Sequence, residues 1–161
     1  MHHTSLSLTL VALLSLAAPA SSATTAPAPR AAEVQVGRVS FGVFEQNAQG
    51  QHGFRVTSTV PMVAEQSYGW VAEVRTKKDC VKVREELTLP HEPKTWGDPE
   101  PGLKQRVSSD GRTATTEVCM KQMHGVISQS WAVAPGDPSG TYVVKVWIED
   151  EAPRIFRFEV R

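Results

Sequence analysis

Apolar and polar residues alternate with a period of two along most of the chain from residue 39 onward. In the clearest run, Trp70, Ala72 and Val74 alternate with Glu73 and Arg75. Successive side chains of a β-strand point to opposite faces, so this alternation predicts strands with one buried face. No window of about 11 residues has the 3.6-residue period of an amphipathic helix. The sequence therefore predicts an all-β fold.

Turn-forming segments rich in glycine, proline and aspartate separate the alternating runs, as in SSDG, PGDPSG and EDEAP. This pattern predicts about seven to nine short antiparallel strands in a single immunoglobulin-like β-sandwich, with a small barrel as the alternative. The cysteine–tryptophan–cysteine spacing of antibody domains is not matched, because Trp70 and Trp131 lie outside the cysteine pair.

Two local features refine the predicted strands. The parity of the apolar residues reverses at Gly37, which predicts a β-bulge or a strand that crosses between sheets. In the last hairpin, Val146 and Phe158 can both face the core only if the loop around Asp150–Pro153 has an odd number of residues, about three or five.

The N-terminal residues have the order of a secretory signal peptide. An apolar run at residues 6–18 is followed by small residues, which predicts a signal peptide over 1–23 cleaved after Ala20 or Ala23. An uncleaved membrane anchor is the alternative, although the run is shorter than the roughly 18 residues of a spanning helix. Residues 24–32, TTAPAPRAA, are predicted to form a tether, and 33–161 the sandwich. A periplasmic or secreted location is expected.

Charge excludes two classes of partner. The chain has 17 basic and 17 acidic residues and a formal net charge of +0. Because nucleic-acid binders have a basic excess, no nucleic-acid binding is predicted. No amphipathic basic helix is present in the sequence either, so no stable membrane insertion is expected after signal cleavage.

The two cysteines, Cys80 and Cys119, lie 39 positions apart. An even cysteine count in an exported protein predicts a disulfide. Both residues fall on the polar parity of their strands, so we expect a bridge between neighbouring strands of one sheet, or from a strand end to its neighbour. Chain-entropy arguments give such a loop about 4 kcal/mol of stabilisation.

The segment CMKQMH at residues 119–124 concentrates donors that copper(I) prefers. Strand alternation places Cys119 and Met123 on one face and Met120 and His124 on the other. Met120 shares the inward parity of the core residues, so we expect it to pack in the core, where methionine commonly fills gaps. A soft-metal site formed by Met120, Met123 and His124 remains an alternative, and no cofactor is predicted.

Two tryptophans are candidate binding residues. Trp96 lies in the Pro-rich segment 90–102, where it either anchors a partner or caps one end of the sandwich. Trp147 is on the outward parity of its strand and is expected to oppose Ile155 or Arg157. It either stacks on Arg157, for about 0.5–1 kcal/mol, or belongs to an exposed contact patch.

Sequence motifs of catalysis are absent, including the nucleophile elbow, the zinc-protease helix, the phosphate loop and the dinucleotide fingerprint. The histidines of the mature chain, His52, His91 and His124, lie at a turn, a Pro-rich loop and a strand junction. None has an identifiable proton partner, so the chain is predicted not to be an enzyme.

Three segments carry a resemblance to a known family: FGVFE, SYGWVAEVRTKKDCVKVREELTLP and WAVAPGDPSGTYVVKVWIEDEAPRIFRFEV. They resemble a family of exported bacterial proteins, classed as a domain of unknown function, with an immunoglobulin-like β-sandwich. The resemblance covers most of residues 36–161. It implies the fold and the compartment, and it transfers no functional residue.

These observations predict an exported, non-enzymatic module that binds a protein or an envelope component through its loops or an edge strand. The alternative is a periplasmic copper-binding protein. A hydrolase or redox enzyme would need a pocket of perturbed titratable groups, for which the sequence gives no sign.

Overall fold

A computed structural model of the chain describes residues 33–46, 49–50, 52–99 and 101–161. The predicted signal peptide over 1–23 and the tether over 24–32 lie outside the described residues and stay predictions. None of the residues described forms a helix long and apolar enough to cross a membrane.

The described residues form two packed β-sheets. One has four strands in the order β2-β1-β4-β8, and the other has six in the order β3-β10-β9-β5-β7-β6. The all-β sandwich predicted from the alternation is therefore confirmed. The ten strands are β1 (Val34–Gln46), β2 (His52–Val56), β3 (Thr59–Val60), β4 (Ser67–Thr76), β5 (Val81–Thr88), β6 (Lys104–Val107), β7 (Thr113–Met120), β8 (Val126–Ala132), β9 (Gly140–Ile148) and β10 (Arg154–Val160).

The count of ten strands exceeds the predicted seven to nine because two of them are too short to show an alternation. β3 has only two residues and β6 has four. β3 also pairs in parallel with β10, whereas every other pair of strands in the described residues is antiparallel.

Two register predictions are confirmed. The pairing of β1 with β4 shifts between Val36 and Val39, which is the irregularity expected around Gly37. In the last hairpin Val146 pairs with Arg154, and the five residues 149–153 connect β9 to β10. Val146 and Phe158 consequently both face the core.

The core lies between the inner faces of the two sheets. Its aromatic part joins β1 to β10 through Phe41 and Phe158, whose ring centroids are 4.1 Å apart. Trp70 and Tyr142 are fully buried nearby on β4 and β9. The inward residues of the two sheets thus interdigitate as expected for a sandwich.

Two glycines allow neighbouring strands to approach closely. A Cβ on Gly69 of β4 would lie 2.0 Å from the carbonyl oxygen of Gln129 on β8. A Cβ on Gly42 of β1 would lie 2.1 Å from the carbonyl oxygen of Arg55 on β2. Both contacts are with backbone, which cannot yield as a flexible side chain can.

We expect Gly69→Ala to lower the free energy of unfolding by about 1–3 kcal/mol, because the backbone of β8 must shift to admit the methyl group. Gly53→Ala on β2 is the matched control, since a Cβ there meets nothing within 4 Å. Urea denaturation of the two variants measures the difference. Equal stability of both variants and the wild type would show that the strands are not in this close contact.

Candidate functional site

The six-stranded sheet extends past the four-stranded sheet at one side of the sandwich. β8 ends the smaller sheet, and its Trp131 contacts Glu85 on β5 of the larger one. Beyond β5 the larger sheet continues with β7 and β6, whereas the smaller sheet ends at β8. On the inward parity of β7, Val118 and Met120 are only partly buried.

Glu85 holds the two sheets together at this side. It is only 1% exposed, and its two carboxylate oxygens accept hydrogen bonds from the indole Nε1 groups of Trp70 on β4 and Trp131 on β8. Burial raises the pKa of Glu85, although the two indole hydrogen bonds act in the opposite direction. The bonds tie the edge strand β8 to the centre of the opposite sheet.

Sequence reasoning missed Glu85, although a signal was present. Glu85 shares the inward parity of Val83 and Leu87 on β5, so the alternation points its carboxyl group into the core. A carboxyl group on a buried parity needs hydrogen-bond donors, and the indoles of two buried-parity tryptophans supply them.

Glu85 makes stability depend on pH in a defined direction. The pKa of Glu85 in the folded chain lies above the ordinary value of 4.5. The stability that Glu85 contributes is therefore fully present below pH 4.5 and is lost as the pH rises through the raised pKa. We expect the stability of wild type minus that of Glu85→Gln to fall as pH increases from about 4 to 8. Urea denaturation of both proteins across this range measures it. A difference that is constant or rises with pH would contradict the raised pKa.

The Pro-rich loop (residues 90–102, of which 100 is not described) contacts β8 and the turn before β7 through Trp96. The indole Nε1 of Trp96 donates a hydrogen bond of 2.8 Å to the carbonyl oxygen of Gly111. Its ring meets that of Trp131 edge-on, with centroids 5.9 Å apart. Trp96 is half-buried and packs against the hydrophobic core. Its role as a binding anchor stays a prediction.

Strands β7 and β8 border a cleft of about 360 Å³, which we call the β7–β8 cleft. Val118 and Met120 of β7 are only partly buried, and they form its floor. Met123, 74% exposed, and Ile127 of β8 also line it, together with Pro101 and Leu103. The cleft is therefore lined mainly by apolar side chains and is bordered by the edge of β8.

The free edge of β8 presents unpaired backbone groups next to this cleft. The hydrogen bonds from Val74 N to Gly125 O, 2.8 Å, and from Val133 N to Gln66 O, 3.0 Å, set which residues of β8 bond to β4. In an antiparallel ladder these alternate, so the residues at 127, 129 and 131 also bond to β4. The backbone N–H and C=O groups of Ser128, Ser130 and Ala132 consequently point away from the sheet.

The edge becomes free only after the first residue of β8. Val126 exchanges two backbone hydrogen bonds with Met123, of 2.9 and 3.0 Å, across a tight turn. From Ser128 to Ala132 no strand of the described residues pairs on this side. The side chains of Ser128, Ser130 and Ala132 are all exposed.

The cysteines lie on the outer face of the six-stranded sheet, where they form a disulfide. Cys80 immediately precedes β5, and Cys119 lies in β7, with a distance of 5.4 Å between their Cα atoms. The bridge thus links a strand end to the adjacent strand, which is one of the two arrangements expected from the polar parity of both residues.

The predicted soft-metal residues are divided between two places. Met120 and Met123 both line the β7–β8 cleft, whereas His124 lines a separate cleft beside Glu73 and Gly37. No cluster of three or more histidine, cysteine, aspartate or glutamate side chains suited to a metal occurs among the described residues. Cys119, the fourth soft donor of the segment, is taken up by the disulfide.

The predicted neighbour of Trp147 is wrong. Ile155 pairs with Lys145 and Arg157 pairs with Val143, because the five-residue loop places Trp147 beyond the last pair of the hairpin. Trp147 instead lies opposite Arg84 of β5, on the other side of β9, with the Arg84 Cζ 4.7 Å from the ring centroid. The cation–π contact therefore exists with a different arginine.

Comparison with known proteins supports the fold. An immunoglobulin-like protein of Pseudomonas aeruginosa matches with a TM-score of 0.54 and 19% identity, covering 81% of this chain and 98% of that chain. The alkylpurine DNA glycosylase AlkC of Pseudomonas fluorescens matches with a TM-score of 0.37 and 13% identity, over 81% of this chain and 31% of that chain. No curated protein matches the sequence.

The first of these matches shows the same immunoglobulin-like fold, and the second is too distant to carry an argument. A family model for a β-sandwich domain matches residues 39–161, which include all strands except the start of β1. The immunoglobulin-like sandwich family expected from the three sequence segments is thereby confirmed. The chain belongs to the PM0630 beta sandwich domain family.

Proposed function

We propose that this chain is an exported, non-enzymatic module that binds another protein through the β8 edge and the β7–β8 cleft. The observation that carries the proposal is the position of unpaired backbone groups at Ser128, Ser130 and Ala132 beside an apolar cleft. Backbone donors and acceptors next to apolar surface are what edge-strand recognition of a protein requires.

The β8 edge differs from the other sheet edges in lacking protection against pairing. β3 has only two residues, β6 carries Lys104 and Arg106, and β2 carries Arg55. Short edges and charged edge residues are the usual means of preventing strand association. β8, with the sequence VISQSWA, has seven residues and no charge, so it is the edge best suited to a partner.

An extracytoplasmic location is supported by two features. The N-terminal sequence has the order of a signal peptide, and the cysteines form a disulfide, which persists in oxidising compartments. We therefore place the module in the periplasm or the external medium.

The distribution of titratable groups supports a binding role over an enzymatic one. His52 and His124 line separate clefts, and His91 is exposed in the Pro-rich loop. The buried carboxyl group of Glu85 is occupied by two indole donors and faces the interior. These groups are not gathered around one pocket, as acid–base chemistry needs.

Copper(I) binding by Met120, Met123 and His124 is the alternative carried over from the sequence. It would require His124 to leave its own cleft and join the two thioethers in the β7–β8 cleft. A copper(I) competition titration on the oxidised protein tests it, and affinity weaker than about micromolar removes the alternative.

Site-specific photocrosslinking in cells that naturally produce the protein tests the proposed binding surface. A photoreactive side chain at Ser128 reports on the β8 edge, and one at the exposed Arg157 of β10 is the matched control. We expect a reproducible crosslinked protein from position 128 and none from position 157. No crosslink from position 128, or the same crosslinks from both positions, would contradict the proposal.

A further inference from the structure

We propose that the partner contributes an extended, uncharged segment that adds to the four-stranded sheet at β8 and lays an apolar side chain over Val118 and Met120. This inference rests on the proposed function and specifies the chemistry of the partner. It is drawn from three features of the described residues: the direction of the free backbone groups, the partial burial of Val118 and Met120, and the charge of the cleft.

The free backbone groups favour a polypeptide strand over other partners. Ser128, Ser130 and Ala132 each offer one outward N–H and one outward C=O, repeating at every second residue. Only another extended backbone presents acceptors and donors at this repeat, which is why edge strands recognise peptides by adding a strand. The small exposed side chains at these positions leave the approach open.

The unequal width of the two sheets leaves space for the added strand. A strand paired with β8 would lie about 4.8 Å beyond it in the same sheet, and therefore opposite β7. Its inward side chains would point toward Val118 and Met120, which are only partly buried. Trp96 of the Pro-rich loop packs against Trp131, and Pro101 of the same loop lines the cleft together with Leu103, so the added strand would share the cleft with these residues.

A second copy of this chain fits the space poorly. If two β8 strands paired, the inward side chains of the partner strand would be Ile127, Gln129 and Trp131. Ile127 is buried in its own sandwich, and Trp131 is bonded to Glu85 there. They cannot also fill the neighbouring cleft, so pairing between copies would leave Val118 and Met120 uncovered. A segment from a different protein fills both the edge and the cleft.

The charge of the surface restricts the partner segment further. Among the described residues that line the β7–β8 cleft, only Lys121 is charged, and β8 itself has no charged residue. A segment that is uncharged along the pairing stretch is therefore compatible, and an acidic residue outside that stretch could lie near Lys121. A basic segment would bring like charge to Lys121 and is disfavoured.

The test selects peptides of about nine residues by display against the full oxidised chain, and the selected peptides are the binding probes. Ser130→Pro removes one outward N–H, which proline can do at an edge strand without breaking a bond to β4. Ser130→Ala is the matched control, because it changes the side chain and keeps the backbone N–H. Ser128→Pro and Ser128→Ala form a second pair, in case Ser130→Pro does not fold.

We expect selected peptides with alternating apolar residues and no basic residue along the pairing stretch. Their affinity should fall roughly tenfold or more in the proline variant and stay within about twofold in the alanine variant. Three results would overturn the inference: no peptide with a Kd below about 100 μM, equal binding to the proline and alanine variants, or self-association of the wild type that the proline substitution abolishes.

The same variants separate the failure of this inference from the failure of the proposed function. If photocrosslinking from position 128 captures a partner and the proline variant captures it equally well, the surface binds a protein without strand addition. If position 128 captures nothing in cells, the proposed function itself is contradicted.

Discussion

Replacing both cysteines, Cys80→Ser with Cys119→Ser, is expected to lower the free energy of unfolding by about 4 kcal/mol. The bridge closes 39 positions of sequence, and a loop of that length restricts the unfolded chain strongly. It also joins β7 to the end of β5, which keeps the floor of the β7–β8 cleft in register. Urea denaturation of the double variant and the oxidised wild type measures the difference.

Reduction supplies the control for the serine substitutions. Wild-type protein whose disulfide has been reduced and whose thiols have then been alkylated should lose nearly as much stability as the double variant. The double variant itself should be insensitive to reductant. A loss of less than about 1 kcal/mol in the double variant would mean that the bridge does not restrain the unfolded chain.

The second large effect is expected for Trp70, the fully buried one of the two tryptophans that bond to Glu85. Trp70→Phe keeps an aromatic ring in the core and removes the Nε1 donor to the Glu85 carboxylate. Loss of this hydrogen bond leaves one oxygen of the buried Glu85 carboxyl group without its donor, so stability should fall by about 3 kcal/mol. Urea denaturation at neutral pH measures it.

Trp147→Phe is the matched control for this substitution, because Trp147 faces outward and contacts Arg84. We expect it to cost no more than about 1 kcal/mol, the range of an exposed cation–π contact. A Glu85→Gln background refines the comparison, since a neutral amide depends less on the indole donor. If Trp70→Phe and Trp147→Phe were equally destabilising, Glu85 would not depend on its indole partner.

The parts of the fold that the sequence predicts are those set by near neighbours along the chain. Alternation specifies the long strands, the parity change at Gly37 specifies the irregularity in β1, and the parity of Val146 and Phe158 specifies the last hairpin. Each depends on the two-residue period of a strand and on the length of one loop, which are local quantities.

The parts that could not be predicted depend on which strands become neighbours. Trp147 meets Arg84 because β5 pairs with β9 across a long sequence separation, and no local pattern specifies this pairing. The widths of the two sheets, four strands and six, are likewise set by long-range pairing. The β7–β8 cleft follows from that difference in width, so the sequence could indicate Met120 and Met123 but not the surface they share.

The Glu85 bridge connects the stability of the core to the candidate binding surface. Trp131 lies on β8 and bonds to β5 through Glu85, so the edge strand is held from inside the sandwich. An edge that is fixed before a partner arrives loses less conformational freedom on binding. We therefore expect the buried carboxyl group of Glu85 to keep β8 rigid.

Amide hydrogen exchange of the free protein tests the central claim most directly, because the claim is that β8 has one bonded and one open side. Alternate residues of β8 should differ sharply. The amides of residues 127, 129 and 131, which bond to β4, should be protected, and those of Ser128, Ser130 and Ala132 should exchange at nearly the rate of an unfolded chain. Equal protection along the whole of β8 would show that its outer edge is already paired, and would contradict the account.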